Sequence, residues 1–241
     1  MGHVLSMSAK LALVTGGTRG IGRAIAERLM ADGFRVVVTG TRPDGQAPDG
    51  ASYRAVDFAD CVATQAFSDE IATMGVDVLV NNAGINKISP FADILPSDFV
   101  RIQQVNVTAP FLLARAVVPG MRNRGWGRIV TISSIWGRIS KAQRGSYSTS
   151  KFAVDGMTAA LAAEVAEYGI LANCVAPGFI DTELTREVLG EDGIAHLTSQ
   201  VPARRLGKPQ EVAALVAWLV GPENTYVSGQ NIVIDGGFTR V

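Results

Sequence analysis

Thiols and imidazoles are scarce in this chain, with two cysteines and two histidines among 241 residues. Cys61 and Cys174 are far apart in apolar surroundings, which predicts reduced core thiols without a disulfide, and hence a cytoplasmic protein. His3 and His196 have too few thiols beside them to build a metal site, so none is expected. Charge of one sign is also lacking. The 22 Lys+Arg and 22 Asp+Glu balance to zero, so the basic footprint of a general nucleic-acid binder is absent. No uncharged apolar run approaches the roughly 18 residues of a membrane span. Residues 1–9 lack the basic start and apolar stretch of a secretory leader. Residues 1–8 read as a flexible extension, with Met7 as a natural start. No linker, composition shift or repeat divides the sequence, so a single domain over 1–241 is expected.

What is present is apolar residues at 47% against 18% charged, a balance that excludes disorder. The 26 glycines suit a fold with many tight strand-to-helix turns. Short hydrophobic runs at 11–14, 36–38, 76–80, 129–132, 171–175 and 232–234 are nearly continuous, as in parallel strands buried on both faces. Between them lie helical patterns. Ile21, Ala24, Ile25 and Leu29 share one face before Asp32-Gly33, and further helices are expected at 97–122, 146–168 and 210–220. The alternation predicts an α/β fold, a doubly wound parallel sheet of about seven strands with helices on both faces. Residues 178–209, the least regular stretch, are the candidate substrate lid.

The first strand runs into Thr15-Gly16-Gly17-Thr18-Arg19-Gly20-Ile21-Gly22 and then a helix. A diphosphate needs backbone N–H donors at close range with a helix N-terminus behind them, and residues without Cβ allow that approach. The second strand ends in Thr39-Gly40-Thr41-Arg42, with no acid to bond a ribose 2′-hydroxyl. Thr41 and Arg42 suit a 2′-phosphate instead, with Arg19 closing from the glycine turn. NADP(H) is therefore the preferred cofactor, with NAD(H) still open. Arg23, Arg28 and Arg35 read better as surface arginines.

Tyr147 and Lys151 are four residues apart on a predicted helix and share a face. A phenol with a pKa near 10 is a poor acid at neutral pH, and a fixed ammonium one turn away is expected to lower it. Ser134 ends the strand run of residues 129–133, where open α/β sheets place their chemistry. Asn106 lies in a predicted helix that disfavours asparagine; its amide either anchors a water in a proton path or caps a local kink. Trp136 and Phe91 are pocket candidates with a core role as the plainer reading.

These residues together resemble the short-chain dehydrogenase/reductase family over nearly the whole chain. The resemblance rests on Thr15-Gly16-x-x-x-Gly20-x-Gly22, Asp57, Asn81-Asn82-Ala83-Gly84, Asn106, Ser134, Tyr147-x-x-x-Lys151, Pro177-Gly178 and Asp235-Gly236-Gly237. It implies a Rossmann-type enzyme passing hydride between nicotinamide and a carbonyl or secondary alcohol. Tyr147 would be the general acid/base, Ser134 would orient the carbonyl, and Lys151 would bond the nicotinamide ribose. Asn106 would hold a water linking Lys151 to solvent. Asp57 and Phe58 would border the adenine, Asn82, Ala83 and Gly84 the adenosine side, and Pro177, Gly178, Ile180 and Thr182 the nicotinamide side. The segment 201–209, with Val227-Ser228-Gly229-Gln230, resembles 3-oxoacyl-acyl-carrier-protein reductases, which implies thioester reduction, fatty-acid biosynthesis and acyl carrier protein as a partner. Where such relatives offer an arginine, this chain carries Glu167-Tyr168-Gly169, while Arg122 and Arg124 lie near the second expected place. Sugar or polyol oxidation is the alternative, and a non-catalytic NADP(H) sensor the reading from another class. The family also implies a homotetramer.

Overall fold

Alternate residues of the central strands feed two separate cores, one on each face of a parallel sheet. In a computed structural model, residues 9–241 are described; the extension expected at 1–8 lies outside the described residues. Leu11 and Leu13 of β1 (Leu11–Val14) join Leu79, Ile129 and Ile170 on one face. Ala12 and Val14 join Val80, Val130 and Val175 on the other. The period of two along each strand makes this partition. Each buried Leu, Ile or Val side chain contributes about 1.5–3 kcal/mol.

The remaining strands are β2 (Arg35–Gly40), β3 (Ser52–Ala55), β4 (Val78–Asn81), β5 (Gly127–Ile132), β6 (Ile170–Pro177) and β7 (Asn231–Ile234). Their order is β3-β2-β1-β4-β5-β6-β7, and every neighbouring pair is parallel. The expected single-domain doubly wound architecture is what the structure has. β3 was the strand without a hydrophobic run: it is a four-residue edge strand whose side chains are largely exposed, so apolar patterning carries no trace of it.

Helix α1 (Gly20–Ala31) covers the second core, with Ile25 and Leu29 buried. Helix α2 (Cys61–Thr73) lies over the first core with Phe67 and Ile71. Asp60 caps α2, its carboxylate accepting from the Val62 and Ala63 amides. That placement corrects the reading of Cys61 as a core thiol: it is exposed at the first position of α2. Cys174 is buried in β6, where burial pushes its thiol up to about 12.

The helix expected over 97–122 is interrupted. α3 (Pro96–Gln103) passes through a π-helical turn at Gln104–Thr108 into α4 (Ala109–Arg124). Next come α5 (Gly145–Val165), α6 (Glu183–Gln200) and α7 (Pro209–Val220), the last packed beside α1. Residues 178–209 are more regular than expected, since α6 occupies 18 of them; a left-handed Gly190 breaks that helix within its length.

The chain winds from β1 outward to β3 and then returns to β4 on the other side of β1. The crevice beyond the carboxyl ends of β1 and β4 is thus the topological switch point, where such sheets receive ligands.

Candidate active site at the sheet's carboxyl edge

The glycine turn lies at the end of β1. Gly16 and Gly20 have φ of +64° and +54°, the left-handed region that favours glycine. A Cβ on Gly17 would sit 2.6 Å from Val38 Cγ1, and one on Gly22 would collide with the Gly16 carbonyl and the Asn82 amide. Helix α1 starts with Arg19 at its N-cap and no side chain capping it, so its first amides face the crevice without an internal side-chain acceptor. A diphosphate fits this cradle, with backbone donors and the helix dipole behind it.

Around the turn the expected residues divide by what they do. The Asn82 side-chain amide donates to the carbonyls of Thr15 and Gly16 at 3.0 and 3.1 Å, so Asn82 holds the turn itself. Thr15 Oγ1 accepts from the Asn82 and Ala83 amides. Thr15 is therefore a positioning residue, which the motif reading had only as a marker of the turn. Thr182 caps α6, and its Cγ2 would lie 3.6 Å from a Cβ on Gly20, so the start of α6 meets the glycine turn. Thr18 and Ile21 are half-buried along the same edge.

Farther out, Thr41 and Arg42 are exposed at the end of β2, and Arg42 pairs with Asp44. The Arg19 side chain is exposed and forms no ion pair among the described residues. Arg23 and Arg28 pair within α1 with Glu27 and Asp32, as surface arginines do. Asp57 is exposed and accepts from the Ala59 amide, whereas the Phe58 ring is buried edge-on to Phe67. Only backbone or an edge of Phe58 is left to border a ligand. The Ile180 side chain is buried in the second core, so its backbone is what is left for such a contact. Gly178 is pressed against β7, where an added Cβ would lie 2.7 Å from Asp235 Cβ, and Pro177 ends the buried β6.

The residues expected to handle the proton come from two elements, the end of β5 and the start of α5. Ser134 follows β5 in extended conformation, buried, its hydroxyl accepting from the Trp136 amide at 3.2 Å. Tyr147 and Lys151 come from the first turns of α5, with Lys151 Nζ 5.5 Å from the centre of the Tyr147 ring. Lys151 is buried and its ammonium donates to the Ile132 carbonyl at 2.8 Å. Gly84 lies beside it: a Cβ there would be 3.7 Å from Lys151 Nζ.

Electrostatics depart from the expectation for the phenol. Burial raises the Tyr147 pKa above 10.0, against the Ser134 hydroxyl and the Arg144 guanidinium, which pull it down. Arg144 is thus a second protein cation that favours the phenolate, beside the Lys151 ammonium 5.5 Å from the ring centre. Burial lowers Lys151 to about 8, with Cys174 opposing weakly.

Asn106 occupies the π-helical turn, where Oδ1 accepts from the Ile85 amide and Nδ2 donates to the Ile85 carbonyl, each at 2.9 Å. Nδ2 also donates to Ser150 Oγ at 3.0 Å, and that hydroxyl donates to the Tyr147 carbonyl. Asn106 therefore clamps the 82–85 loop to the Tyr147 helix, and its amide bonds protein groups where the helix is interrupted. Ser150 is fully buried, and spacing alone gave no sign of its bridging role. Trp136 packs edge-on to Phe179 and Phe238, whereas Phe91 is 82% exposed and makes no core contribution.

The chain as a whole is similar to known proteins. A family model described as enoyl-(acyl carrier protein) reductase matches residues 16–239. The 3-oxoacyl-acyl-carrier-protein reductase FabG of Vibrio cholerae is 37% identical, covering 98% of this chain and all of that protein. Acetoacetyl-CoA reductase of Cupriavidus necator is also 37% identical, over 96% of this chain and 98% of its own length. Among solved structures, gluconate 5-dehydrogenase from Burkholderia cenocepacia in complex with NADP and tartrate superposes with a TM-score of 0.88 at 31% identity, covering 96% of each chain. The chain belongs to the short-chain dehydrogenase/reductase family and is an oxidoreductase of that class. Among the described residues, no helix is long and apolar enough to cross a membrane.

Proposed function

We propose that the protein is an NADP(H)-dependent oxidoreductase interconverting a carbonyl and a secondary alcohol. One observation carries this reading: Ser134, Tyr147 and Lys151 converge beside the glycine turn at the topological switch point. NADP(H), when bound, supplies or accepts the hydride at its nicotinamide. Gly16, Thr18, Arg19, Gly20, Ile21 and Gly22 would hold its diphosphate, and Thr41 and Arg42 its 2′-phosphate. In reduction, the Ser134 hydroxyl orients the substrate carbonyl while the Tyr147 phenol gives its proton to the carbonyl oxygen. Lys151 donates to the Ile132 carbonyl and keeps two further N–H groups for a ribose. NADP in the Burkholderia structure supports the cofactor choice.

For the substrate, reduction of a 3-oxoacyl thioester is supported by the FabG and acetoacetyl-CoA reductase relatives. The alternative, oxidation of a hydroxy or sugar acid, is favoured by a feature of this chain. The two arginines nearest the expected carrier-docking places are engaged: Arg122 stacks 3.9 Å from the Tyr168 ring centre, and Arg124 bonds the Val76 carbonyl and Asp77. A screen of NADPH consumption with acetoacetyl-CoA and with 5-keto-D-gluconate separates the two, and NADH in parallel tests the cofactor. Turnover of neither ketone class, with NADP+ bound, would remove the catalytic reading in favour of a sensor.

The same reading includes a cytoplasmic homotetramer and a lid formed by residues 178–209. Phe111 on α4 and Phe152 on α5 are about half exposed, which supports burial against another copy. The start of α6 against the glycine turn supports the lid. A monomer in sedimentation would remove the first, and unchanged proteolysis of 178–209 on adding NADP+ the second.

A further inference from the structure

Three cations, Arg138, Lys141 and Arg144, stand between Ser134 and Tyr147, and no acidic residue does. Arg138 pairs with Asp155 across 3.5 Å, and Lys141 lies 5.4 Å over the Trp136 ring. Arg144 differs from both. Its Nε and Nη1 are buried with no hydrogen-bond partner, and no carboxylate pairs with it among the described residues. Burial lowers its pKa, a cost that protein interiors normally offset with an acceptor. Its backbone setting is also unusual. The preceding Gln143 holds a left-handed φ of +66°, one of two such non-glycine residues described, and its carbonyl accepts from the Ser89 amide. A side chain other than glycine is held in that region only where its surroundings over-determine it. Arg144 then caps the backbone of α5, three residues before Tyr147, close enough that each charge acts on the other.

Accordingly, we infer that Arg144 is a specificity-determining residue that binds a carboxylate of the substrate next to the reacting carbonyl, so that the substrate class is an oxo acid or hydroxy acid. This rests on the site assignment above and selects between its two substrate readings. A guanidinium gives a carboxylate two parallel N–H donors, the acceptor that the protein itself leaves out. Lys141, three residues earlier in the chain, adds positive potential, whereas the ketone end of a thioester is neutral. The same charge lowers the Tyr147 pKa, so neutralising Arg144 by a bound carboxylate makes the phenol a weaker acid once substrate has docked.

The test uses NADP+-loaded protein with malonate as the carboxylate probe and malonamide as its neutral counterpart. Malonate should raise the melting temperature and malonamide should not, and Arg144→Gln should abolish the malonate response while leaving NADP+ affinity unchanged. In turnover, kcat/KM for acetoacetate or 5-keto-D-gluconate should fall about 100-fold in Arg144→Gln, the scale of a charge-assisted pair. Methyl acetoacetate should fall at least about tenfold less than the acid, and Arg144→Lys should restore part of the acid's loss as a point charge without the fork. The pH limb assigned to Tyr147 should move upward in Arg144→Gln, a shift that a purely structural arginine would not cause. Equal malonate and malonamide responses, or parallel losses for acid and ester, would overturn the inference while NADP+ binding leaves the parent reading intact. Failure of the wild-type protein to bind NADP+ would overturn both.

Discussion

The two halves of the crevice are built on opposite principles. In the glycine turn itself, side-chain polar groups are satisfied inside the protein and what remains free is backbone: Asn82 and Thr15 lock the turn, and the first amides of α1 are left over. On the substrate side, free side-chain polarity is what remains, namely the Tyr147 phenol, the Lys151 ammonium and two partnerless nitrogens of Arg144. A shared diphosphate needs a rigid surface of donors, and backbone provides it regardless of side-chain identity. Discrimination among carbonyl compounds needs particular charges, and each is held at the cost of desolvation.

Removing the phenol tests this contrast most severely. Tyr147→Phe should lower turnover at least about 1,000-fold, within the range of general acid catalysis, with NADP+ affinity unchanged by titration. An equal loss of affinity would mean that the two halves are not separable. Gly22→Ala is the converse experiment, since its methyl group would strike the Gly16 carbonyl and the Asn82 amide. It should cost about 1–3 kcal/mol of stability in a denaturant melt and weaken NADP+ binding, with kcat largely preserved at saturation.

The pH dependence is a finer probe. In the free enzyme Lys151 titrates at about 8, because burial disfavours its cation. The profile of kcat/KM for NADPH, which reports the free enzyme, should fall as pH rises through about 8, up to tenfold per unit. The sign for stability is opposite: the unfolded chain holds the lysine proton longer, so this group's contribution rises between pH 8 and 10.5. Above pH 9.0 the raised Cys174 opposes it, its contribution being lost as the unfolded thiol ionises. The smallest effect is at the edge of the cofactor side, where Arg42 is shared with Asp44. Asp44→Asn should release Arg42 and lower the KM for NADPH a few-fold, leaving NADH unchanged, while Arg42→Ala should raise the NADPH value about tenfold.

Legibility followed the same division. Continuous valine and leucine runs announced the parallel sheet, and glycine spacing between β1 and α1 announced the phosphate cradle, because each depends on neighbours in the chain. β3 was not legible, since an exposed edge strand needs no apolar pattern. The π-helical turn at Asn106 was visible only as an asparagine out of place in a helix. Its purpose, clamping Ile85 to Ser150, joins residues 21 and 44 positions away. Cys61 was misread because apolar neighbours in sequence become a solvent-facing first turn once Asp60 caps the helix.

By itself the sequence determined the α/β class and the glycine turn after the first strand, since local periodicity and short spacings encode both, and the family resemblance singled out Ser134, Tyr147 and Lys151. Tertiary structure alone decided which groups are desolvated: that burial raises the Tyr147 phenol, lowers Lys151 to about 8, and leaves Arg144 charged without an acceptor. Dielectric surroundings are assembled from distant segments, and ionisation responds to those surroundings, whatever the order of residues along the chain.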